Sequence, residues 1–578
     1  MIKKIKIKNF KRFEKTEFDL DSVVVFVGPN NYGKTTALQA IYLWELGLNS
    51  WKSHLATKPN SKRTTGLTIN RKNILAIPNS HAIQLWKSYN VRKGIDKGKT
   101  ENINIEIIAD GETNNQKWTI GFEFIYGNQE SIYCRILSDD DTLTGKKLYQ
   151  HLSIINEKVG YLPPMSGLSS TEDKLEMGSI NARIGEGQTA QVLRNLCWNL
   201  YSDSDTHKND KWQKLKELME DLFLIELQAP TYNSINGQID LTYKENKKEL
   251  NILNSGRGLL QVLLIFSYIY THDSTILLID EPDAHLEVLR QREIYNRLTH
   301  EIKKSNFQII IASHSEVIIN EAFSNDLIYT FLINKQLLLN EGNKKHLISS
   351  LSKYGMEQYF LANQNRWILY LEGDTDLKIL REFAKLKKTE SLPYLNKPFV
   401  YFLHNDQINE ALKHFSAMKN AQNDLLGVLL TDKTKQLPPT DISDFITLSW
   451  NRREIENYIP IPYTLTRYLE NLNFSGLFFQ QNIPLLNEII NKRIPPVALE
   501  NPTDSWWNDT KMTDDFLDKI FETYLLQTNQ SSSIMNKSKY YLLLQYAKPE
   551  EIDPEVTEKL DAIYEVARRA EAIIQSEE

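Results

Sequence analysis

Gly28-Pro29-Asn30-Asn31-Tyr32-Gly33-Lys34-Thr35 has the spacing G-x-x-x-x-G-K-[ST] and directly follows the apolar run Val23-Val24-Val25-Phe26-Val27. Such a loop works where a buried strand hands the chain to the N-terminus of a helix, so it fixes a strand, loop and helix at the start of the fold. The residues that would face it lie far along the chain. Thr275-Ile276-Leu277-Leu278-Ile279-Asp280-Glu281-Pro282 reads as a second buried strand, ending in paired carboxylates, and Ile309-Ile310-Ile311-Ala312-Ser313-His314 as a third that delivers a histidine. The expected class is α/β, with strands remote in sequence meeting in one sheet.

A chain of 578 residues exceeds what one hydrophobic core supports and predicts two or three domains. Hydrophobic residues at 41% and charged residues at 25% are values of soluble proteins. The sequence holds no run of about 18 apolar residues, and Met1-Ile2-Lys3-Lys4-Ile5-Lys6 alternates like a strand, so a cytoplasmic protein without a membrane partner is expected. Cys134 and Cys197 lack metal-ligand spacing, which assigns them to packing. The net charge of −6 does not point to nucleic acid. Two basic stretches do so locally: Lys3, Lys4, Lys6, Lys8, Lys11, Arg12 and Lys15 in the first strands, and Lys58, Lys62, Arg63, Arg71, Lys72, Arg92, Lys93, Lys97 and Lys99 after the first helix. A solvated charged surface is the simpler reading of both.

Alternation in Ile5-Lys6-Ile7-Lys8 and Glu17-Phe18-Asp19-Leu20 predicts a hairpin leading into the loop strand. Residues 50–100 are basic and poorly periodic and read as a surface insertion. Strands are expected at 103–108, 118–124 and 131–137, and helices at about 165–225, a candidate dimerisation region. The segment from Trp212 to Leu222 is amphipathic but too short for a coiled-coil arm. The first domain is expected to close near residue 345, followed by a linker at 346–365, a second strand-and-helix series at 366–530 and a helical segment at 531–578.

In the loop, backbone N–H groups and the helix N-terminus would cradle phosphates, Lys34 would meet the β and γ phosphates, and Thr35 would ligate magnesium. Asp280 is placed to hold that ion through water, Glu281 to orient the attacking water, and His314 to sense the γ-phosphate. Asn30, Asn31, Gly33 and Thr36 complete the expected nucleotide contacts. A second acidic set follows. Glu372-Gly373-Asp374-Thr375-Asp376 ends one strand, Asp432-Lys433-Thr434 another, and Glu456 lies in the polar stretch beyond. Carboxylates at the ends of neighbouring parallel strands converge on one sheet edge and suit magnesium or manganese.

Met1 to Phe13, the phosphate loop and the acidic pair resemble the ABC-type ATPases of the RecF and SMC branch. That resemblance implies ATP held between two protomers, with Ser255-Gly256 completing the partner's site. Asn254 and Arg257-Gly258 depart from the usual signature. The second acidic set resembles the Toprim domain. Behind an ABC-type head, it resembles the OLD family of nucleases, which includes the Gabija nuclease and retron-associated effectors of phage defence. The resemblance implies a homodimer or larger homo-oligomer that cuts DNA. Glu372, Asp376, Asp432 and Glu456 would be its metal ligands, and Lys537, with Lys539 as rival, its transition-state lysine. Thr434 stands where a second aspartate is common, and a hydroxyl there supplies no charge. A helicase, or a reverse transcriptase with its RNA–DNA hybrid, is the kind of partner the resemblance suggests. Two readings stay open: an ATP-regulated, metal-dependent endonuclease, and an ATP-driven DNA-binding scaffold with a degenerate Toprim domain.

Overall fold

The structure is a computed structural model. It describes residues 1–62, 64–95, 99–137, 145–202, 206–305, 307–323, 326–332, 335–338, 355–403, 407–433, 444–471, 482–501, 504–528 and 535–577. The chain forms two compact units, Met1–Lys344 and Lys345–Glu578.

The first unit is built on two six-stranded sheets. In one, Val23–Val27, Ile276–Asp280 and Gln308–Ser313 are buried along their whole length, as strands covered on both faces must be. Its order is Val159–Leu162, Ile276–Asp280, Gln308–Ser313, Val23–Val27, Leu327–Leu332, Lys335–Leu338, parallel except at the last pair. The other sheet is antiparallel and contains Ile2–Phe10, Phe13–Asp19, Ile105–Thr113, Gln116–Asn128, Ser131–Leu137 and Leu67–Asn70. Its alternating burial, seen in Ile105–Thr113, marks one face in the core and one in water.

Helix Lys34–Thr57 spans about 36 Å at 1.5 Å per residue. It ties the loop to the antiparallel sheet: the buried Trp44 indole stacks on Trp118 at 5.8 Å and donates to the Ile120 carbonyl at 3.1 Å. Helix Thr206–Phe223 buries Trp212, Leu215, Leu218, Met219 and Leu222, the stripe its periodicity predicts.

The basic stretch after the first helix is no mere surface insertion. Leu67–Asn70 closes an edge of the antiparallel sheet, and Ile74, Ile77, Leu85 and Trp86 enter the core. The apolar residues there are spaced irregularly because short 3₁₀ turns carry them, so neither helical nor strand periodicity betrays them. The basic charges are largely matched. Lys4 pairs with Glu17 and Asp19, Lys6 with Asp110, Lys8 with Glu106, and Arg71 with Glu130, all on solvated faces. Cys134 and Cys197 are buried, and burial pushes both thiols well above their usual range, as packing residues require.

The second unit holds a four-stranded parallel sheet in the order Val400–Phe402, Trp367–Leu371, Leu426–Thr431, Phe445–Ser449. Alternate side chains of the first strand enter different cores: Trp367, Leu369 and Leu371 on one face, Ile368 and Tyr370 on the other. Helix Met356–Asn365 lies in the stretch read as linker, and its Ala362 packs with Ile368 and Tyr370. Among the residues described from 535 onward, Tyr540, Leu543, Val556, Leu560 and Ile563 share one core with Leu369 and Val428. Among the described residues, no helix is long and apolar enough to cross a membrane.

Candidate functional site

The carboxyl ends of the three buried strands of the first unit lie level, with Asp280 paired to Ala312 and Ala312 to Phe26. Register alone therefore sets Glu281, the Ser313-His314 step and Gly28 along one sheet edge. Gly28 has φ 152° and Gly33 φ 103°, and a Cβ on Gly28 would fall 2.7 Å from the Phe331 carbonyl oxygen. These are positions only glycine fills without strain. The loop borders a cavity of about 580 Å³ lined by Arg12, Asn30, Asn31, Gly33, Lys34, Thr35, Thr36 and Glu281.

Lys34 is buried and donates to the carbonyls of Gly28 and Pro29 at 2.7 and 2.8 Å. Burial lowers its pKa, opposed by the charges of Asp280, Glu281 and Asp283. Thr35 Oγ1 donates to Asp280 Oδ2 at 2.7 Å. Burial raises the Asp280 carboxyl to about 6. A buried carboxylate beside a hydroxyl, both hard oxygen donors, fits a magnesium ion. Glu281 takes a left-handed backbone, φ 53°, with its N–H bonded to the Ala312 carbonyl at 2.8 Å and its own carbonyl accepting from Gln261 Nε2 at 3.3 Å. Such a conformation costs about 1–3 kcal/mol outside glycine, and the flanking bonds hold it in place. His314 Nδ1 lies 3.9 Å from Glu281 Oε1.

Ser255 and Gly256 do not line this cavity; they sit at the N-terminus of helix Arg257–Thr271, with Gly256 and Arg257 exposed. Further residues join the site, of which Tyr161 alone went unread in the sequence. Arg12 lines the cavity with its guanidinium over the Tyr32 ring, Tyr161 Oη approaches Asp280 Oδ2 at 3.5 Å, and the buried Asp283 accepts from Ser313 Oγ at 2.7 Å. Arg12 belongs to the basic stretch of the first strands and Asp283 to the loop after the acidic pair, whereas nothing in the sequence marked Tyr161.

In the second unit, Glu372 and Asp432 follow the carboxyl ends of the adjacent strands Trp367–Leu371 and Leu426–Thr431. The chain leaves the first of these strands for one neighbour and returns to the other side, so this is a switch point in strand order, where α/β sheets bind ligands. Asp376 lies in the first turn of helix Asp374–Lys387 and accepts from the Gly373 N–H at 3.2 Å.

Burial, then the charge of Glu372, raises Asp376 to about 6. Burial, then Glu372, Asp376, Glu456 and Glu454, raises Asp432 to about 8. Burial, then Glu454 and Asp376, raises Glu456 to about 8, with Lys537 opposing. The expected acids thus stand in one another's field. Among the described residues, no three His, Cys, Asp or Glu are drawn together as a ready metal shell. The donor chemistry fits a divalent cation, since buried carboxylates repelling one another are what such an ion relieves.

Lys537 is exposed and acts on Glu456 and Asp514, which favours it over Lys539. Thr434 lies outside the described residues. Glu454 was not singled out in the sequence. It is buried and accepts from Thr513 N and Oγ1 at 2.5 and 2.7 Å, and its nearness to the expected Glu456 in sequence was the available signal.

Residues 1–158 match the family described as AAA ATPase domain, and residues 102–320 the family described as AAA domain, putative AbiEii toxin, Type IV TA system. A Helicobacter pylori protein described as an ATP/GTP phosphatase is 23% identical over 339 residues, 55% of this chain and 86% of its own length. Similar solved structures include the SMC head domain from Thermotoga maritima, at 15% identity, covering 58% of this chain and 98% of that one with TM-score 0.31. The recombination mediator RecF is 13% identical, covering 59% and 98%, with TM-score 0.31. Scores this low carry no argument about fold, which rests on the strand order above. The family matches and the loop geometry agree that the first unit is an ATPase domain of mixed α/β build, and both family matches end by residue 320.

Proposed function

We propose that this chain is an ATP-hydrolysing, metal-dependent DNA endonuclease whose second unit is a Toprim-type nuclease regulated by ATP at the first, and that it serves in bacterial phage defence. The observation that carries this reading is the set of carboxylates Glu372, Asp376, Asp432 and Glu456 at a strand-order switch point, in a chain that also carries an ATP site.

At the first site Lys34 neutralises the β and γ phosphates, Thr35 and Asp280 hold magnesium, and Glu281 orients the attacking water. Ser255 and Gly256 complete the site of a second copy, and heads paired in this way govern cutting. At the second site Glu372, Asp376, Asp432 and Glu456 hold magnesium or manganese, which when bound activates water and polarises the phosphodiester. Lys537 offsets charge on the phosphate. A helicase, or a reverse transcriptase with its hybrid, is the class of partner proposed.

Supercoiled plasmid incubated with the protein, ATP and magnesium or manganese tests the reading. Nicking that disappears in Glu372→Ala is expected. No cleavage under any metal or nucleotide condition, with Glu372→Ala indistinguishable from the parent, would sink it. The lack of a ready metal shell among the described residues favours one rival, an ATP-driven DNA-binding scaffold with an inactive second site. That rival requires ATP turnover lost in Lys34→Ala with no metal-dependent cutting.

A further inference from the structure

Asp280 receives two hydroxyl donors on one oxygen. Thr35 reaches Oδ2 at 2.7 Å from the loop helix, and Tyr161 reaches the same atom at 3.5 Å from the edge strand Val159–Leu162. The tyrosine is buried, 6% exposed, and its strand runs parallel to that of Asp280, with Tyr161 opposite Leu278. The hydroxyl of Tyr268 donates to the Tyr161 carbonyl at 3.4 Å, which fixes the backbone behind the ring.

The Tyr161 hydroxyl is also the end of a chain whose polarity is set at its far end. Lys11 Nζ has donors only, and it donates to Gln39 Oε1 at 2.7 Å. The Gln39 amide is left with its NH₂ group free to face the Tyr161 oxygen, and its influence there opposes the effect of burial on that hydroxyl. Gln39 is buried, so water does not compete for these bonds. With the Gln39 amide NH₂ on one side and the carboxylate on the other, the Tyr161 hydroxyl directs its own hydrogen to Asp280. The half-buried Lys11 at the hairpin tip is thus placed to orient Gln39 toward the hydroxyl that meets the carboxylate.

We propose that Tyr161 is a positioning residue for Asp280: when the Thr35 hydroxyl turns to magnesium, the Lys11, Gln39 and Tyr161 chain keeps the Asp280 carboxylate aimed at the ion. The inference rests on the ATP-site reading given above. Thr35 and Asp280 then serve the ion together, and the tyrosine replaces the donor that the carboxylate gives up. The long 3.5 Å approach fits a donor held in reserve while Thr35 is still bonded to the same oxygen.

The test uses the full chain and a fluorescent ATP analogue, titrated with magnesium and, separately, bound in EDTA. Thermal unfolding of each variant serves as control. Tyr161→Phe is expected to raise the half-saturating magnesium concentration about tenfold, the scale of a hydrogen bond to a charged group, and to leave binding in EDTA within about twofold. Gln39→Leu and Lys11→Met shift it in the same direction by less, and they carry the test if Tyr161→Phe does not fold. A purely structural role would lower the unfolding temperature and weaken both kinds of binding alike, and that pattern overturns the proposal. An unchanged magnesium requirement in Tyr161→Phe and Gln39→Leu overturns it too. If the parent chain binds no nucleotide with or without magnesium, the ATP-site reading itself fails and takes this inference with it.

Discussion

Both units gather acids at the carboxyl edge of a parallel sheet, and they treat the charge in opposite ways. In the first, Asp280 meets the Thr35 and Tyr161 hydroxyls and the field of Lys34. In the second, Asp432 meets Glu372, Asp376, Glu456 and Glu454, and the exposed Lys537 opposes them at Glu456. The first site carries part of its compensation within the chain. The second stores repulsion that a cation from solution would relieve. Compensation inside the chain suits a site awaiting a complex of anion and metal; repulsion suits a site that binds metal strongly and is altered by losing it.

The sharpest way to break this comparison is to disable each site and read both activities. Lys34→Ala is expected to reduce ATP turnover about a hundredfold or more, measured as phosphate release, because Lys34 is the cation buried within the loop itself. Glu372→Ala should reduce metal-dependent plasmid nicking on a similar scale, about a hundredfold, while phosphate release stays at the parent level. Loss of phosphate release in Glu372→Ala would show that the sites are not chemically separate.

Gly28→Ala comes next. The added Cβ meets the Phe331 carbonyl at 2.7 Å in a backbone at φ 152°, so a cost of about 1–3 kcal/mol is expected, read as weaker nucleotide binding and a lower unfolding temperature.

The charge contrast also predicts a pH dependence. Asp432 and Glu456, raised to about 8, keep protons in the folded state that the unfolded chain releases near pH 4. Their favourable contribution is complete below the unfolded pKa and is lost as pH rises toward 8. Metal-free protein should therefore unfold at lower temperature at pH 8 than at pH 6, by on the order of 1 kcal/mol per group. Manganese should restore more at pH 8 than at pH 6, because protons compete with the ion. Asp432→Asn should raise the metal-free unfolding temperature at pH 8 and diminish the manganese effect. A flat or rising profile in EDTA would erase the contrast between the units. The smallest effect belongs to Thr513→Val, which removes the Oγ1 donor of Glu454 and should cost about 1 kcal/mol, read by chemical denaturation.

The sequence carried the strand ends best. Gly28, Asp280, Glu372 and Asp432 each sit where a buried apolar run stops, and that local pattern is the structure. The failures share a cause. Tyr161 is one of 27 tyrosines, on a strand of four residues, and nothing nearby in sequence marks it as a neighbour of Asp280. Trp86 reaches the core from a 3₁₀ segment without periodicity, and Tyr540 joins a core shared with Leu369 and Val428, more than a hundred residues earlier.

By itself the sequence determined which strands are buried and which chemical groups they deliver at their ends, because strand burial and loop chemistry are properties of short stretches. Only the tertiary structure decided which of those ends are level with one another, which acids share a field and which hydroxyl stands behind Asp280. Those follow from sheet order and register, which join residues that the chain holds hundreds of positions apart.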